Sequence, residues 1–394
     1  MKIFWKYSLA VLAFAVLFGC SKEENTPTPK PDPKPEDQEV VTYTVKSLSQ
    51  MTLREKVGQM FNVRPETIHP TSADYQTVAS TALQADFIQY PCGGITLYAK
   101  NIINPAQLKE FTKFLHSLGN YPLLCIDEEG GSVARIGRNS NFNVPTYTSM
   151  YAIGSTGDPQ NAYNAGANIG SYLFEYGLDV DFAPVCDVFS NPDNTVIGNR
   201  SFGTTPQLVA DMSSSFFKGL RDKKTVGCLK HFPGHGDTVN DTHYGYAESL
   251  KTWDQISECE MIPFKTGIES GAQMIMTAHI CLPNVIDAGV PSTLSSVILK
   301  DKLRGELGFQ GIIITDSMGM GAITQNFDAA EAAIKAIEAG VDIILDVSRA
   351  DYRRVFDAVV AAVQSGQILE SRIDESVSKI IALKNNIINN HTSL

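Results

Sequence analysis

The fold is decided by a segment that reads Thr225-Val226-Gly227-Cys228-Leu229-Lys230-His231, in which a short apolar run ends in two titratable side chains. The same pattern, an apolar run followed at once by polar groups, recurs along the chain. Continuous apolar strands that alternate with longer helical stretches are typical of a parallel sheet covered on both faces. The segment therefore predicts an α/β domain whose polar groups gather at one end of the sheet.

Eight short apolar runs are predicted as strands: 58–63, 94–98, 123–127, 178–185, 227–231, 274–279, 311–315 and 341–345. Amphipathic stretches lie between them, and the clearest helices are predicted at 105–118, 159–176, 206–223 and 329–339. Asp328 is the predicted N-cap of the last of these helices. Eight strand–helix units in one α/β domain predict a single (β/α)8 TIM-type barrel, and an open doubly wound sheet is the alternative.

Titratable side chains stand directly after five of the predicted strands. They are Asp127, Asp187, His231, His279 and Asp316. The carboxyl ends of barrel strands meet on one face, and active sites of this fold lie on that face. The sequence therefore predicts that these ends converge on a functional site.

Charge and cysteine content narrow the class of protein further. The net charge of −11 argues against a nucleic-acid partner, because binding a phosphate backbone requires a basic surface. No phosphate loop or dinucleotide fingerprint is present, and we expect no cofactor. Four cysteines lie inside apolar runs and are expected to be small buried residues, although a disulfide between two of them stays open: Cys125, Cys186, Cys228 and Cys281.

The N-terminal region has the features of an exported lipoprotein. Residues 1–19 carry a basic start and a short apolar run, as a signal peptide does, and Cys20 follows as the expected lipidation site. Residues 20–45 are rich in proline and are expected to form a stiff linker. We therefore expect residues 46–394 to form a barrel held at the outer membrane by a lipid, at the cell surface rather than on the periplasmic face.

A metal site competes with an acid–base site in the loop after the fifth strand. His231, His235 and His243 are possible zinc ligands. A catalytic zinc needs three ligands in fixed geometry, and a Pro-Gly loop does not fix them. The favoured expectation is that no metal is bound.

Glycoside hydrolysis needs a nucleophile or base and a proton donor on either side of a sugar. Asp316 lies where a barrel carboxylate nucleophile would lie, although it could instead cap the start of the following helix. His243 is the candidate proton donor, because Asp241 is close enough in sequence to orient and stabilise its ring. A simple surface histidine is the alternative.

Five motifs together resemble glycoside hydrolase family 3, and in particular its β-N-acetylglucosaminidase branch, over roughly residues 48–390. They are Ile126-Asp127-Glu128-Glu129-Gly130-Gly131-Ser132-Val133-Ala134-Arg135, Asn199-Arg200-Ser201-Phe202, Lys230-His231-Phe232-Pro233-Gly234-His235-Gly236, Asp241-Thr242-His243 and Ile314-Thr315-Asp316-Ser317-Met318. The chain departs from the family pattern at Tyr244-Gly245-Tyr246 and at Ser317, and both departures concern the leaving-group side of the site.

The resemblance implies a retaining exo-β-N-acetylglucosaminidase. Asp316 would be the nucleophile, His243 the acid and base, and Asp241 the residue that tunes His243. Sugar contacts are implied for Asp127, Arg135, Arg200, Lys230 and His231, with a structural ion pair between Asp127 and Arg135 as the alternative for those two.

Other activities stay open at the level of sequence. They are a β-glucosidase, a phosphorylase that uses phosphate in place of water, and a non-catalytic glycan-binding lipoprotein. The second C-terminal domain of larger family members is not expected. The natural glycan, which can come from peptidoglycan or another source, and the oligomeric state are left open.

Overall fold

Eight short parallel strands form the centre of the structure, a computed structural model that describes residues 43–71, 75–238 and 247–392. The strands are Phe61–Val63, Gly94–Leu97, Leu123–Ile126, Val180–Asp181, Val226–Phe232, Met274–Thr277, Ile312–Ile314 and Ile344–Leu345. They pair in chain order, and the eighth pairs with the first through Ile344 and Phe61. A parallel bridge between Ile314 and Ile343 joins the seventh and eighth. The predicted (β/α)8 barrel is confirmed, and the open sheet is excluded.

Helices alternate with the strands around the barrel. The α-helices are Leu53–Gln59, Pro65–Ile68, Thr81–Gln89, Pro105–His116, Met150–Gly154, Pro159–Glu175, Pro206–Asp222, Trp253–Glu258, Met261–Glu269, Gly321–Thr324, Ala329–Ala339, Tyr352–Gln364 and Glu370–Thr392. Residues Val297–Glu306 are π-helical, and single 3-10 turns occur at Leu48–Gln50, Ala99–Asn101, Gly198–Arg200 and Ser292–Leu294.

The predicted helices begin where the sequence places caps. Asn104 accepts a hydrogen bond from the backbone N–H of Gln107 at the start of Pro105–His116. Asp328 accepts from two backbone N–H groups at the start of Ala329–Ala339, as predicted. That helix ends at Gly340, whose φ of +119° is a left-handed conformation that glycine adopts without a steric cost.

Seven of the eight strands are shorter than predicted, and for two of them a local reason is visible. The first was expected from residue 58, but the capping box of Thr52 and Glu55 starts a helix that runs through Gln59. The fourth was expected over 178–185 but pairs regularly only at Val180–Asp181. Pro184 has no N–H to donate and so interrupts the ladder, which resumes as an isolated bridge between Val185 and Lys230.

Apolar side chains fill the barrel interior and a second layer between strands and helices. Leu123, Val180 and Met276 belong to the interior cluster, and Ile380 and Leu383 of the C-terminal helix pack against it. This helix thereby covers the end of the barrel opposite the polar strand ends. The six described cysteines all have free thiols, and the four expected to be buried are buried.

Several predicted features lie outside the described residues. These are the signal peptide at 1–19, the lipidation site Cys20 and most of the linker at 20–45. Within the described part of the chain, no helix has a stretch both long and apolar enough to cross a membrane.

Candidate active site

A pocket of about 200 Å³ opens at the carboxyl ends of the barrel strands. Six of the predicted site residues line it together: Asp127, Arg135, Arg200, Lys230, His231 and Asp316. Four of them come from loops after the third, fourth and seventh strands, and Lys230 and His231 lie in the fifth strand itself. The convergence of polar strand ends that the sequence predicts is therefore found in the structure.

Lys230, at the end of the fifth strand, is the most enclosed charge in the pocket. Its ammonium lies 2.9 Å from Asp127 Oδ1 and 2.6 Å from Glu129 Oε1, and only 2% of its side chain is exposed. Burial lowers the pKa of this lysine, but the two carboxylates raise it further, so it stays charged. A permanently charged donor therefore sits at the base of the pocket.

Arg200 also binds Glu129, through two hydrogen bonds. Its Nε and Nη2 donate to the two oxygens of Glu129 at 2.9 and 2.7 Å, the fork geometry in which guanidinium binds carboxylate. Burial raises the pKa of Glu129, but the charges of Arg200 and Lys230 hold it well below its usual range. Glu129 thus anchors two of the predicted sugar contacts.

Asp127 is shared between Lys230 and Arg135, whose Nη2 lies 3.1 Å from Asp127 Oδ2. The ion pair between Asp127 and Arg135, which the sequence left open as an alternative to sugar contact, is therefore present. Both residues also line the pocket. Burial raises the pKa of Asp127, but the cations lower it further, and the net shift is downward. Asp127 is accordingly an anionic acceptor at neutral pH.

The loop that carries Asp127 and Arg135 is folded around a second glutamate. Glu128 accepts backbone N–H bonds from Arg135, Ile136 and Gly137, at distances of 2.6, 2.9 and 2.7 Å. Tyr172 donates its hydroxyl to the same carboxylate at 2.8 Å. Because an acceptor held by four donors is hard to displace, this loop is a rigid support for the site.

Asp187 holds the imidazole of His231. His231 Nδ1 lies 2.7 Å from Asp187 Oδ2, and the backbone N–H of His235 donates to Oδ1 at 2.6 Å. A carboxylate only accepts, so Nδ1 carries a proton and Nε2 is left to meet a ligand. Burial raises the pKa of Asp187, but His231 reverses this, and the net shift is downward.

His235 and Gly236 shape the loop, as expected for His235 from the sequence. A Cβ built on Gly236 would lie 1.8 Å from the backbone oxygen of Val188, so only glycine allows the two loops to approach. The carbonyl of His235 accepts from Asn194 Nδ2 at 2.7 Å. This close contact keeps Asp187 beneath His231.

Asp316 faces the same pocket and is partly exposed. Its Oδ1 accepts from the backbone N–H of Ser317 at 2.7 Å. The nearby helix Gly321–Thr324 begins after Met320 and has no side-chain cap, so Asp316 does not cap that helix. Its carboxylate is therefore available to a ligand.

Asp241 and His243 lie outside the described residues, which resume at Ala247. The described chain on both sides is firmly attached. Ser249 Oγ donates to Asp237 Oδ2 at 2.6 Å, and Lys251 lies 3.3 Å from Asp237. The roles of Asp241 and His243 stay predictions.

No cluster of three or more histidine, cysteine or acidic side chains suited to a metal ion occurs within 43–71, 75–238 and 247–392. In the part of the pocket described, Asp127 and Glu129 are paired with Lys230, Arg135 and Arg200.

Glu129 was not predicted as a site residue, and Asp187 was predicted only as a polar strand end with no role assigned to it. Each acts through a partner that is distant in sequence: Arg200 lies 71 residues from Glu129, and His231 lies 44 residues from Asp187. The available signals were the place of Glu129 close to Asp127 in the sequence and that of Asp187 at a strand end.

Comparison with known proteins identifies the family. Residues 52–383 match the glycosyl hydrolase family 3 N terminal domain. Beta-hexosaminidase A of Pseudoalteromonas piscicida is 35% identical over 334 residues, which are 78% of this chain and 55% of that protein. Beta-hexosaminidase of Stenotrophomonas maltophilia (strain K279a) is 33% identical over 272 residues, which are 67% of this chain and 79% of that protein.

A solved structure agrees with these relatives. A glycoside hydrolase family 3 beta-N-acetylglucosaminidase from Paenibacillus sp. str. FPU-7 superposes with a TM-score of 0.79 and 36% identity, over 86% of this chain and 63% of that one. The chain thus spans only part of the length of the Pseudoalteromonas and Paenibacillus proteins. Since the family match extends over most of its residues, the chain belongs to glycosyl hydrolase family 3.

Proposed function

We propose that the protein is a retaining exo-β-N-acetylglucosaminidase that hydrolyses terminal N-acetylglucosamine from peptidoglycan fragments or other glycans. One observation carries the proposal: the accessible carboxylate of Asp316 lines the same pocket as the fixed donors Lys230 and Arg200. The names of the relatives, beta-hexosaminidase and beta-N-acetylglucosaminidase, support the sugar.

In the proposed reaction, Asp316 attacks the anomeric carbon as the glycosidic C–O bond breaks. His243 gives its proton to the departing oxygen, and a glycosyl ester on Asp316 results. His243 then takes a proton from water, whose oxygen attacks the anomeric carbon and releases Asp316. Asp241 orients His243 and stabilises its charged form.

The pocket residues described above would position the sugar for this attack. Asp127 is an anionic acceptor for sugar hydroxyls, while Lys230 is a buried donor. His231 offers Nε2, because Asp187 occupies Nδ1. Arg200 and Arg135 complete the set of donors. Such fixed polar groups lower the entropic cost of reaching the transition state.

The test is release of nitrophenol from a panel of nitrophenyl β-glycosides. We expect the N-acetylglucosaminide to be cleaved faster than the glucoside. Asp316→Asn should lower kcat by at least about 10³-fold, while the exposed control Asp301→Asn should keep it. Faster cleavage of the glucoside, or full activity of Asp316→Asn, would contradict the proposal.

We also propose that the chain is exported and anchored by lipid on Cys20, facing the cell surface. The support is the sequence of residues 1–24. Labelling of cells with a fatty-acid analogue should mark the wild type and not Cys20→Ser, with the buried Cys92→Ser as the matched control. An unlabelled, fully water-soluble wild type would contradict it.

A further inference from the structure

A second cavity adjoins the active-site pocket and is lined mainly by cations. It has a volume of about 530 Å³, and we call it the basic groove. Its charged and aromatic members are Arg64, Glu66, Tyr98, Lys100, Arg135 and Arg349. Four cations and one carboxylate line the basic groove of a chain whose net charge is −11. A local excess of positive charge on such an acidic chain points to an anionic ligand.

The basic groove is continuous with the site already described. Tyr98 and Arg135 line both cavities. The guanidinium carbons of Arg64 and Arg135 each lie 5.6 Å from the centre of the Tyr98 ring. A substrate held in the pocket can therefore extend a neighbouring group into the basic groove.

The cations of the basic groove differ in how far they are neutralised. Arg64 donates to Asp346 at 2.8 Å, and Arg135 pairs with Asp127 at 3.1 Å. Among the residues that the structure describes, Lys100 and Arg349 form no ion pair with a carboxylate. Arg349 donates one N–H to the carbonyl of Thr71, which leaves further donors of its fork.

The remaining acid does not balance these two charges. Glu66 is buried and accepts from Asn101 Nδ2 at 3.1 Å, and it lies 3.9 Å from Arg64. The Glu66 carboxylate is therefore engaged by Asn101 and Arg64. Lys100 and Arg349 are left as the recognition pair of the basic groove.

We propose that the basic groove binds a carboxylate or sulfate of the substrate. This anion is carried either by the sugar of the leaving group or by the terminal sugar itself. The proposal rests on the proposed glycosidase function and narrows its substrates to acidic glycans. Arginine binds planar carboxylates and sulfates with two parallel donors, and lysine adds a mobile point charge. Neutral chitooligosaccharides would leave the basic groove unused.

Two matched substrate pairs test this and separate the two positions of the anion. In the first pair, N-acetylglucosamine is β-linked to a sugar bearing a lactyl carboxylate or its methyl ester. In the second, nitrophenyl N-acetyl-β-glucosaminide carries or lacks a 6-sulfate. The measured quantity is the ratio of kcat/KM for the anionic and neutral members, at low and high salt.

We expect a ratio of about 10 in at least one pair at low salt. High salt should reduce it, because the recognition pair is partly exposed. The Lys100→Gln/Arg349→Gln double variant should bring the ratio close to one. Lys113→Gln, an exposed lysine on another helix, should keep the wild-type ratio. The pair that shows the effect reveals whether the anion is on the leaving group or the terminal sugar.

Wild-type ratios of one or below in both pairs, with normal release from the neutral members, would overturn this inference and leave the glycosidase function standing. A high ratio that the double variant keeps would equally overturn the assignment to the basic groove. No release from any substrate would overturn both proposals. If the double variant unfolds, the kcat/KM ratios of the two single variants and the salt dependence of the wild-type ratio test the assignment instead.

Discussion

Lys230 and Glu129 form a buried ion pair in which Nζ lies 2.6 Å from Oε1, with 2% and 1% of the two side chains exposed. Glu129 also receives two donors from Arg200. One carboxylate thus compensates two cations that are proposed to bind the sugar. Removing its charge would leave those cations insufficiently paired, which is costly in a buried site.

Glu129→Gln tests this arrangement while keeping the shape of the side chain. We expect the free energy of unfolding to fall by about 3–5 kcal/mol, since a buried pair loses one partner. Hydrolysis of the N-acetylglucosaminide should weaken as well. Urea unfolding measures the effect, with Glu175→Gln as control, because the exposed Lys109–Glu175 pair should contribute under ~1 kcal/mol. Equal stability of the two variants would argue against a structural role for Glu129.

Asp187 is expected to act on substrate through His231. Asp187→Asn removes the charge that holds Nδ1–H, so kcat/KM should fall by roughly 10- to 100-fold through loss of ring orientation. Combining it with His231→Gln should add little, because both changes disable the same imidazole. Steady-state kinetics of the two single variants and the double variant form the cycle. Fully additive losses would mean that Asp187 acts independently of His231.

His243 is predicted to donate the proton to the leaving group. His243→Gln should lower kcat/KM by roughly 10²- to 10⁴-fold for a poor leaving group such as a sugar. The loss should be much smaller for dinitrophenol, which departs without protonation. His69→Gln, a change in a partly buried histidine that lines neither cavity, is the control. Equal losses of kcat/KM for both leaving groups would show that His243 does not protonate the leaving group.

Lys384 predicts a pH dependence of stability unrelated to catalysis. It is fully buried at the closed end of the barrel, where Nζ donates to Gln59 Oε1 at 2.6 Å and to the carbonyl of Asn120 at 3.0 Å. Burial lowers the pKa of Lys384 from 10.5 to about 7. Between these values the unfolded chain binds more protons than the folded one, so stability should rise with pH.

The rise attributable to Lys384 should be roughly 1 kcal/mol per pH unit above about pH 7. Urea unfolding at several pH values, compared with Lys384→Met, isolates this contribution because the variant lacks the titrating group. Lys113→Met, an exposed change, should keep the wild-type slope. A slope unaltered by Lys384→Met would show that the buried amine does not titrate in this range.

Much of the fold was predictable because local and global preferences agree. Strands such as Leu123–Ile126 are buried on both faces, so they read as unbroken apolar runs. Caps such as Asp328 mark helix starts directly. Strand ends were less predictable. Pro184 interrupts the hydrogen-bond ladder of the fourth strand, and the residues expected to begin the first strand belong to a capped helix.

The site was predictable as a set of strand-end residues, but its supporting contacts were not. Lys230 and Asp316 stand at strand ends that any barrel brings together. The pairing of Glu129 with Arg200, and the position of Arg349 in the basic groove, depend on loop conformations. Those conformations follow from packing between distant segments, such as Gly236 against Val188, and no local pattern specifies them.

The central claim is that Asp316 forms a covalent bond to the sugar, and trapping that intermediate tests it most directly. A fluorinated N-acetylglucosaminyl fluoride, which forms the ester quickly and hydrolyses it slowly, should add the mass of one fluorinated sugar to the intact protein. Peptide mass spectrometry should then locate the label on Asp316, and Asp316→Asn should stay unlabelled. A label on any other residue, or turnover with no covalent adduct and an inverted anomer as first product, would contradict the account.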